Sequence, residues 1–222
     1  MHPADTETLE LLPAGIAPRQ LFILLPAASA EQADMLPLAA VLGESFPEAA
    51  VVVVSQLLPA VTLNGLPVPV ANLSDHSGGR ALSAELASLL AFVRAQQERW
   101  QLLQSDTALA GFGDAASLAL EFSDRFDGVV GRVLAFSGAY SGWKDTAPGL
   151  TTLHLLHGGA DSQVPLARVR EGFQQLTALG ADATLDVARG VGHELHPALM
   201  EQAVLRLQTC VPLRHWRAAA GG

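Results

Sequence analysis

The segment Thr107–Leu120, TALAGFGDAASLAL, constrains the fold more than any other stretch of this chain. It reads as a short apolar strand that breaks at Gly111 and continues as a helix. Small residues at Gly111, Ala115 and Ala116 permit a sharp turn, because larger side chains would clash across it. Such a turn places one residue, here Gly113, between the strand and the helix. The segment predicts an α/β fold built around this turn.

The rest of the chain alternates between strand and helix patterns. The continuous apolar runs Gln20–Leu25 and Ala50–Val54 are typical of strands buried on both faces of a parallel sheet, and helical spacing over Glu31–Phe46 separates them. The alternation predicts a mostly parallel sheet with helices on both faces. The other predicted elements are an edge strand around Leu9–Leu12, helices Ala81–Leu103, Ala115–Phe126, Leu166–Leu179 and Pro197–Thr209, and strands Val129–Phe136, Thr151–His157 and Asp182–Ala188.

One domain accounts for this pattern. We expect a lead-in over residues 1–18, a single α/β domain over 19–215 and a C-terminal tail over 216–222. The long segment Gln56–Arg80 contains prolines and glycines typical of turns, and loops of this length often bind ligands. The sequence leaves open whether this segment covers a site.

Composition excludes several classes of function. The net charge is −9 with only 13 Lys and Arg residues, which disfavours a nucleic-acid partner or an anionic membrane surface. The apolar runs are shorter than the roughly 20 residues that a membrane helix needs. The single Cys210 forms no internal disulfide, and the first residues lack the features of a secretory signal, so we expect a cytoplasmic protein. We expect no cofactor, and homodimer formation is left open.

Two loops that follow predicted strands carry side chains of the types that acid–base catalysis uses. Asp161 lies in His157–Pro165, HGGADSQVP, and His193 lies in GVGHE after the next strand. Ligands bind beyond the carboxyl ends of parallel strands, so both side chains are expected at one edge of the sheet. We predict that Asp161 and His193 are hydrogen-bonded to each other and that His193 lies near Gly113.

These stretches resemble the carboxylesterase/phospholipase branch of the α/β-hydrolases, in particular YpfH-type bacterial esterases. The resemblance covers roughly residues 19–215, and its HGG-x-D and GH motifs follow successive strands. It implies an α/β-hydrolase fold and a small-molecule ester or acyl-like ligand. The matching stretches are Leu153–Pro165, Ala183–His193, Arg132–Tyr140 and Thr107–Phe112.

The resemblance also implies roles for individual residues. Asp161 corresponds to the acid that orients the histidine, and His193 to the general base. Gly113 stands where the family carries the serine of GFSxG, so the nucleophile position is vacated. The N–H groups of Ala28 and Asp114 are the oxyanion-hole candidates, although Pro26–Ser29 replaces the family's HG-x-G segment.

Other side chains near the predicted edge have weaker assignments. Tyr140 and Trp143 are candidates for the walls of an acyl pocket, with packing in the core as an equal alternative. Ser117 and Ser137 do not occupy a nucleophile position.

Two hypotheses for function follow from the missing serine. In the first, the chain is a catalytically impaired esterase homologue that binds a small acyl-like ligand or a partner. In the second, it remains a hydrolase, with His193 and Asp161 activating a water molecule or with Asp114 as the nucleophile. Asp114 fits poorly because Phe112 would then occupy a position that needs a small residue. The Asp161–His193 pair also has a purely structural interpretation, in which it supports two loops.

Three further patterns resemble metal-binding or nucleotide-binding motifs but do not meet the requirements of those sites. His154 and His157 are better explained as packed residues of a strand than as ligands. The histidines of His193–His196 are one residue too close for a helical HExxH zinc motif, and a proline follows. Gly111–Ala116 reads as G-x-G-x-x-A, but the acidic residue that a dinucleotide site needs about 20 positions later is absent.

Overall fold

The computed structural model describes residues 8–55, 61–63, 66–68, 78–142 and 145–212. These ranges contain nine strands and five α-helices. The strands are β1 (Thr8–Leu11), β2 (Gln20–Leu25), β3 (Ala49–Val54), β4 (Val61–Leu63), β5 (Leu66–Val68), β6 (Thr107–Phe112), β7 (Arg132–Phe136), β8 (Thr152–Gly158) and β9 (Ala183–Ala188). The helices are α1 (Leu36–Ser45), α2 (Gly78–Trp100), α3 (Asp114–Arg125), α4 (Leu166–Ala178) and α5 (Pro197–Thr209).

Seven of the strands form one sheet in the order β1-β3-β2-β6-β7-β8-β9. Strand β1 pairs antiparallel with β3, and every other pair in this sheet is parallel. Strands β4 and β5 form a separate antiparallel pair. The mostly parallel sheet and the edge strand near Leu9–Leu12 are therefore confirmed. In the described part of the chain, no helix has the length and apolar character to cross a membrane.

The core consists of two apolar layers, one on each face of the sheet. Alternation along β2 directs Leu21 and Ile23 to the layer formed with α2, α3 and α4, and Phe22 and Leu24 to the layer formed with α1 and α5. Leu21, Ile23 and Leu24 are fully buried. Each such side chain contributes about 1.5–3 kcal/mol relative to an exposed one. This packing holds the central strands rigidly, and the ends of these strands carry the candidate site.

Some element boundaries differ from the prediction. The strand expected over Val129–Phe136 begins only at Arg132, because Val129 and Val130 pack into the core before the chain pairs with a neighbouring strand. Helix α2 begins at Gly78 rather than Ala81, so the predicted loop Gln56–Arg80 contains the β4–β5 pair and the start of a helix. The remainder of that loop, the first seven residues and the tail 216–222 lie outside the described residues.

The parallel arrangement brings four chain segments to the same edge. Strands β2, β6, β8 and β9 all point in one direction, and their carboxyl ends lead into the loops that contain Ala28, Gly113, Asp161 and His193. Residues far apart in the sequence therefore meet at this edge.

Candidate active site

The turn after β6 places Gly113 at the carboxyl edge of the sheet. Gly113 has φ 62° and ψ −120°, a conformation that residues with a side chain rarely adopt. Its N–H donates to the carbonyl of Phe136 at 2.9 Å, which fixes the turn against β7. A Cβ added to Gly113 would lie 3.3 Å from Nε2 of His193 and 3.7 Å from Cβ of Ala27. A side chain at this position would therefore project toward His193.

The strand does not break at Gly111, as the sequence analysis expected. It continues to Phe112, and α3 begins at Asp114. Glycine is needed at position 111 because of a close approach, since a Cβ there would lie 2.5 Å from the carbonyl oxygen of Ala115. The residue in the left-handed turn is Gly113.

Asp161 and His193 are directly hydrogen-bonded, as predicted. Nδ1 of His193 lies 2.8 Å from Oδ2 of Asp161, and 32 residues separate the two in the sequence. The Asp161 side chain is fully buried, and the His193 side chain is 14% exposed. With Nδ1 bound to the carboxylate, Nε2 faces Gly113. The ring of Phe112 packs against the imidazole with 4.8 Å between centroids.

The loop after β8 holds the Asp161 carboxylate in place. Oδ1 accepts the N–H groups of Gln163 and Val164, each at 2.9 Å. Burial acts to raise the pKa of Asp161, but the hydrogen bonds from Val164, His193 and Gln163 outweigh it and lower the pKa. His157 joins this network because its Nε2 lies 2.8 Å from the Val164 carbonyl. The carboxylate is thus kept charged and oriented toward His193.

One oxyanion-hole candidate is already occupied. The Ala28 N–H donates to the Asp114 carboxylate, at 3.0 Å to Oδ1 and 3.3 Å to Oδ2. Oδ1 also accepts the N–H of Ala115 at 2.8 Å. The sequence indicated only the backbone N–H of Asp114 for this role and gave no sign of the carboxylate contact. No local pattern could have revealed it, because the contact spans 86 residues.

Glu85 on α2 is a second residue that the sequence analysis missed. Its pKa is raised, first by burial and then by the negative charge of Asp114. This side of the site therefore carries two carboxyl groups, those of Glu85 and Asp114.

His154 and His157 are packed residues of β8, in line with their predicted role. Both are buried, and Nδ1 of His154 lies 2.9 Å from the Thr184 hydroxyl. Burial, with a smaller contribution from the charge of Arg132, lowers the pKa of His154 to about 4. Burial also lowers the pKa of His157.

Ser117, Ser137 and Tyr140 lie on α3 and in the segment that follows β7, near the turn at Gly113. Ser117 bridges two loops, since its hydroxyl donates to the Gly113 carbonyl at 3.3 Å and accepts the Ala139 N–H at 3.1 Å. Ser137 is fully buried and has a positive φ of 52°. Tyr140 is buried, and burial raises the pKa of its phenol. Trp143 lies outside the described residues.

A cavity of about 290 Å³ lies between the loop that follows β7 and helix α4. Tyr140, Leu155, Val169 and Gln175 are among its walls. The described residues that line it include neither Asp161 nor His193, so Tyr140 borders a space separate from the hydrogen-bonded pair.

The histidine-rich stretch after β9 does not gather metal ligands. His196 is the N-cap of α5, and its Nδ1 accepts the N–H of Ala198 at 3.2 Å. Within the described residues, no three His, Cys, Asp or Glu side chains come together as metal ligands would.

The sheet is mostly parallel, and its central strand β6 is joined to helix α3 by Gly113, a residue with positive φ. This strand order and this turn together define the α/β-hydrolase fold. Solved structures share it. Esterase PE8 superposes with a TM-score of 0.74 and 24% identity, over 91% of this chain and 98% of that one. The carboxylesterase of Bacillus cereus gives a TM-score of 0.71 and 17% identity, over 92% and 94% of the two chains.

Sequence comparison identifies a family within the α/β-hydrolase fold. Residues 69–211 match the phospholipase/carboxylesterase family model. Esterase YpfH of Escherichia coli (strain K12) is 30% identical over 178 residues, which is 80% of this chain and 77% of that protein. The chain belongs to the phospholipase/carboxylesterase family.

Proposed function

We propose that this chain is a member of the esterase family that has lost serine-based ester hydrolysis and binds a small acyl-like ligand. In this proposal Gly113 stands at the position of the nucleophilic serine, and Asp161 and His193 are the remaining acid and base. One observation carries the proposal: the Cβ position of Gly113 is 3.3 Å from Nε2 of His193. A serine there would place its hydroxyl beside the base.

The geometry supports an acid and base that have lost their reaction partner. Asp161 accepts the Nδ1 proton of His193, which leaves Nε2 to accept a proton on the side of Gly113. In a serine esterase that proton comes from the hydroxyl as it attacks the ester carbonyl. Gly113 has neither the hydroxyl nor the proton, so no acyl-enzyme forms by this route. A ligand that reaches Nε2 is bound rather than acylated onto position 113.

The test uses the unaltered protein and two probes. A fluorophosphonate should not label it, because labelling needs an activated hydroxyl. A short-chain methyl ketone, which resembles an ester but cannot be hydrolysed, should shift the amide resonances of Gly113 and His193 in NMR titrations. Stoichiometric labelling of any serine would contradict the loss of serine chemistry. Ketone-induced shifts confined to the α4 cavity, or no shifts at all, would contradict a small acyl-like ligand at this edge.

The second candidate function is hydrolysis by a water molecule that His193 and Asp161 activate. The orientation of Nε2 toward a position without a side chain favours it. It predicts slow hydrolysis of nitrophenyl esters by the unaltered protein that His193→Ala abolishes. If the unaltered protein and His193→Ala hydrolyse the ester at equal rates, the hydrolysis does not depend on His193, and this candidate function is rejected. Asp114 is a weaker candidate for the nucleophile than the water molecule, because its carboxylate accepts the backbone N–H groups of Ala28 and Ala115.

A further inference from the structure

The Asp114 carboxylate binds the backbone N–H of Ala28, one of the two oxyanion-hole candidates. Both of its oxygens are within 3.3 Å of the Ala28 nitrogen, and Oδ1 also accepts the N–H of Ala115. Ala28 belongs to the loop after β2, and its neighbour Ala27 comes within 3.7 Å of the Gly113 Cβ position. The Ala28 N–H is therefore a donor on the loop that borders the Gly113 Cβ position.

Resting on the proposed function above, we propose that Asp114 is a built-in anion that occupies the Ala28 N–H, so that the site rejects carboxylates and oxyanions and accepts neutral acyl compounds. A carboxylate has the charge and hydrogen-bonding pattern of the oxyanion that forms in ester hydrolysis. Hydrogen bonds from backbone N–H groups to a charged acceptor are about twice as strong as neutral ones. The internal carboxylate is also tethered, so it binds without the entropy loss that a free ligand pays.

Charge repulsion from Asp114 and Glu85 would also disfavour the binding of a carboxylate ligand. Burial, and after it the negative charge of Asp114, raises the pKa of Glu85. An incoming carboxylate would meet one or two negative groups and would find the Ala28 donor already bound. A neutral ester or ketone carries no net charge and is not repelled in this way. The expected ligand class is therefore an uncharged acyl compound rather than a free acid.

Two substitutions separate the hydrogen bond from the charge. Asp114→Ala removes the acceptor and frees the Ala28 N–H, whereas Asp114→Asn keeps an oxygen in place and removes only the charge. The matched control is Asp106→Asn. Asp106 also accepts a backbone N–H, that of Leu103 at 3.0 Å, but it precedes β6 and so lies at the opposite edge of the sheet. Thermal melting confirms that each variant is folded.

The first assay measures binding alone. Butyrate is titrated into the unaltered protein and each variant, and the Ala28 amide resonance is followed by NMR. We expect butyrate affinity to rise at least 10-fold in Asp114→Ala, to rise less in Asp114→Asn and to stay unchanged in Asp106→Asn. Equal butyrate affinity in Asp114→Ala and the unaltered protein would overturn the proposal.

The second assay separates this inference from the proposed function. In a Gly113→Ser background, Asp114→Ala should raise kcat/KM for nitrophenyl butyrate about 10²-fold, because one oxyanion donor is worth about 10²–10³ in rate. If Gly113→Ser is active and Asp114→Ala adds nothing, the inference fails while the proposed function stands. If neither protein is active but butyrate binding responds as expected, the assignment of Gly113 as the nucleophile position fails, and the inference that Asp114 occupies the Ala28 donor stands.

Discussion

Gly113→Ala tests whether position 113 requires glycine for its backbone conformation. At φ 62° and ψ −120°, a residue with a side chain costs about 1–3 kcal/mol of stability. The new Cβ would lie 3.3 Å from Nε2 of His193, which is tight contact. Alanine also lowers the conformational entropy of the unfolded chain, and this effect stabilises the folded state by about 0.4–1 kcal/mol. We therefore expect the free energy of unfolding to fall by about 1–2 kcal/mol.

The matched control is Gly172→Ala. Gly172 lies inside α4, and a Cβ there meets nothing within 4 Å. Replacing glycine by alanine within a helix should raise stability by about 0.5–1 kcal/mol. Urea unfolding of both variants, with the slopes compared, gives the difference directly. The two variants should differ by about 1.5–3 kcal/mol, and an equal gain in both would refute the claim that position 113 is strained for any residue but glycine.

Two further changes follow from the same structure. Gly111→Ala should lower the free energy of unfolding by about 3 kcal/mol, since its Cβ would lie 2.5 Å from the Ala115 carbonyl oxygen, and a melting temperature equal to that of the unaltered protein would contradict this. Because the pKa of folded His154 is about 4, below the ordinary histidine value of about 6.5, the unfolded chain binds a proton between about pH 4 and 6.5 that the folded chain does not. The stability that depends on neutral His154, on the order of 3 kcal/mol, is therefore complete above about pH 6.5 and declines as the pH falls toward 4. Urea midpoints at several pH values should show this decline, and His154→Gln should reduce its slope; an unchanged slope would contradict the assignment.

Strong local signals explain what could be predicted from the sequence. Strand Gln20–Leu25 and helix Pro197–Thr209 have the predicted bounds, because a proline follows the first and begins the second. The Asp161–His193 hydrogen bond was predicted because both residues follow strands of a parallel sheet, whose ends share one edge.

Contacts between distant segments explain what was missed. Gly111 was interpreted as a break, whereas glycine is needed there for the approach of α3, which is a tertiary requirement. The bond from Ala28 to the Asp114 carboxylate and the influence of Asp114 on Glu85 join segments with no shared sequence pattern. Val129 and Val130 resemble strand residues because they are buried, although pairing begins only at Arg132.

The most direct test of the proposal that Gly113 stands at a vacated nucleophile position is fluorophosphonate labelling of Gly113→Ser, followed by intact mass and peptide mapping. The unaltered protein and the double variant Gly113→Ser with His193→Ala are treated in parallel. We predict that only Gly113→Ser gains one label, at position 113, because the new hydroxyl lies beside Nε2 of His193. A folded Gly113→Ser protein that stays unlabelled, or labelling that persists without His193, would contradict the assignment of Gly113 as the vacated nucleophile position.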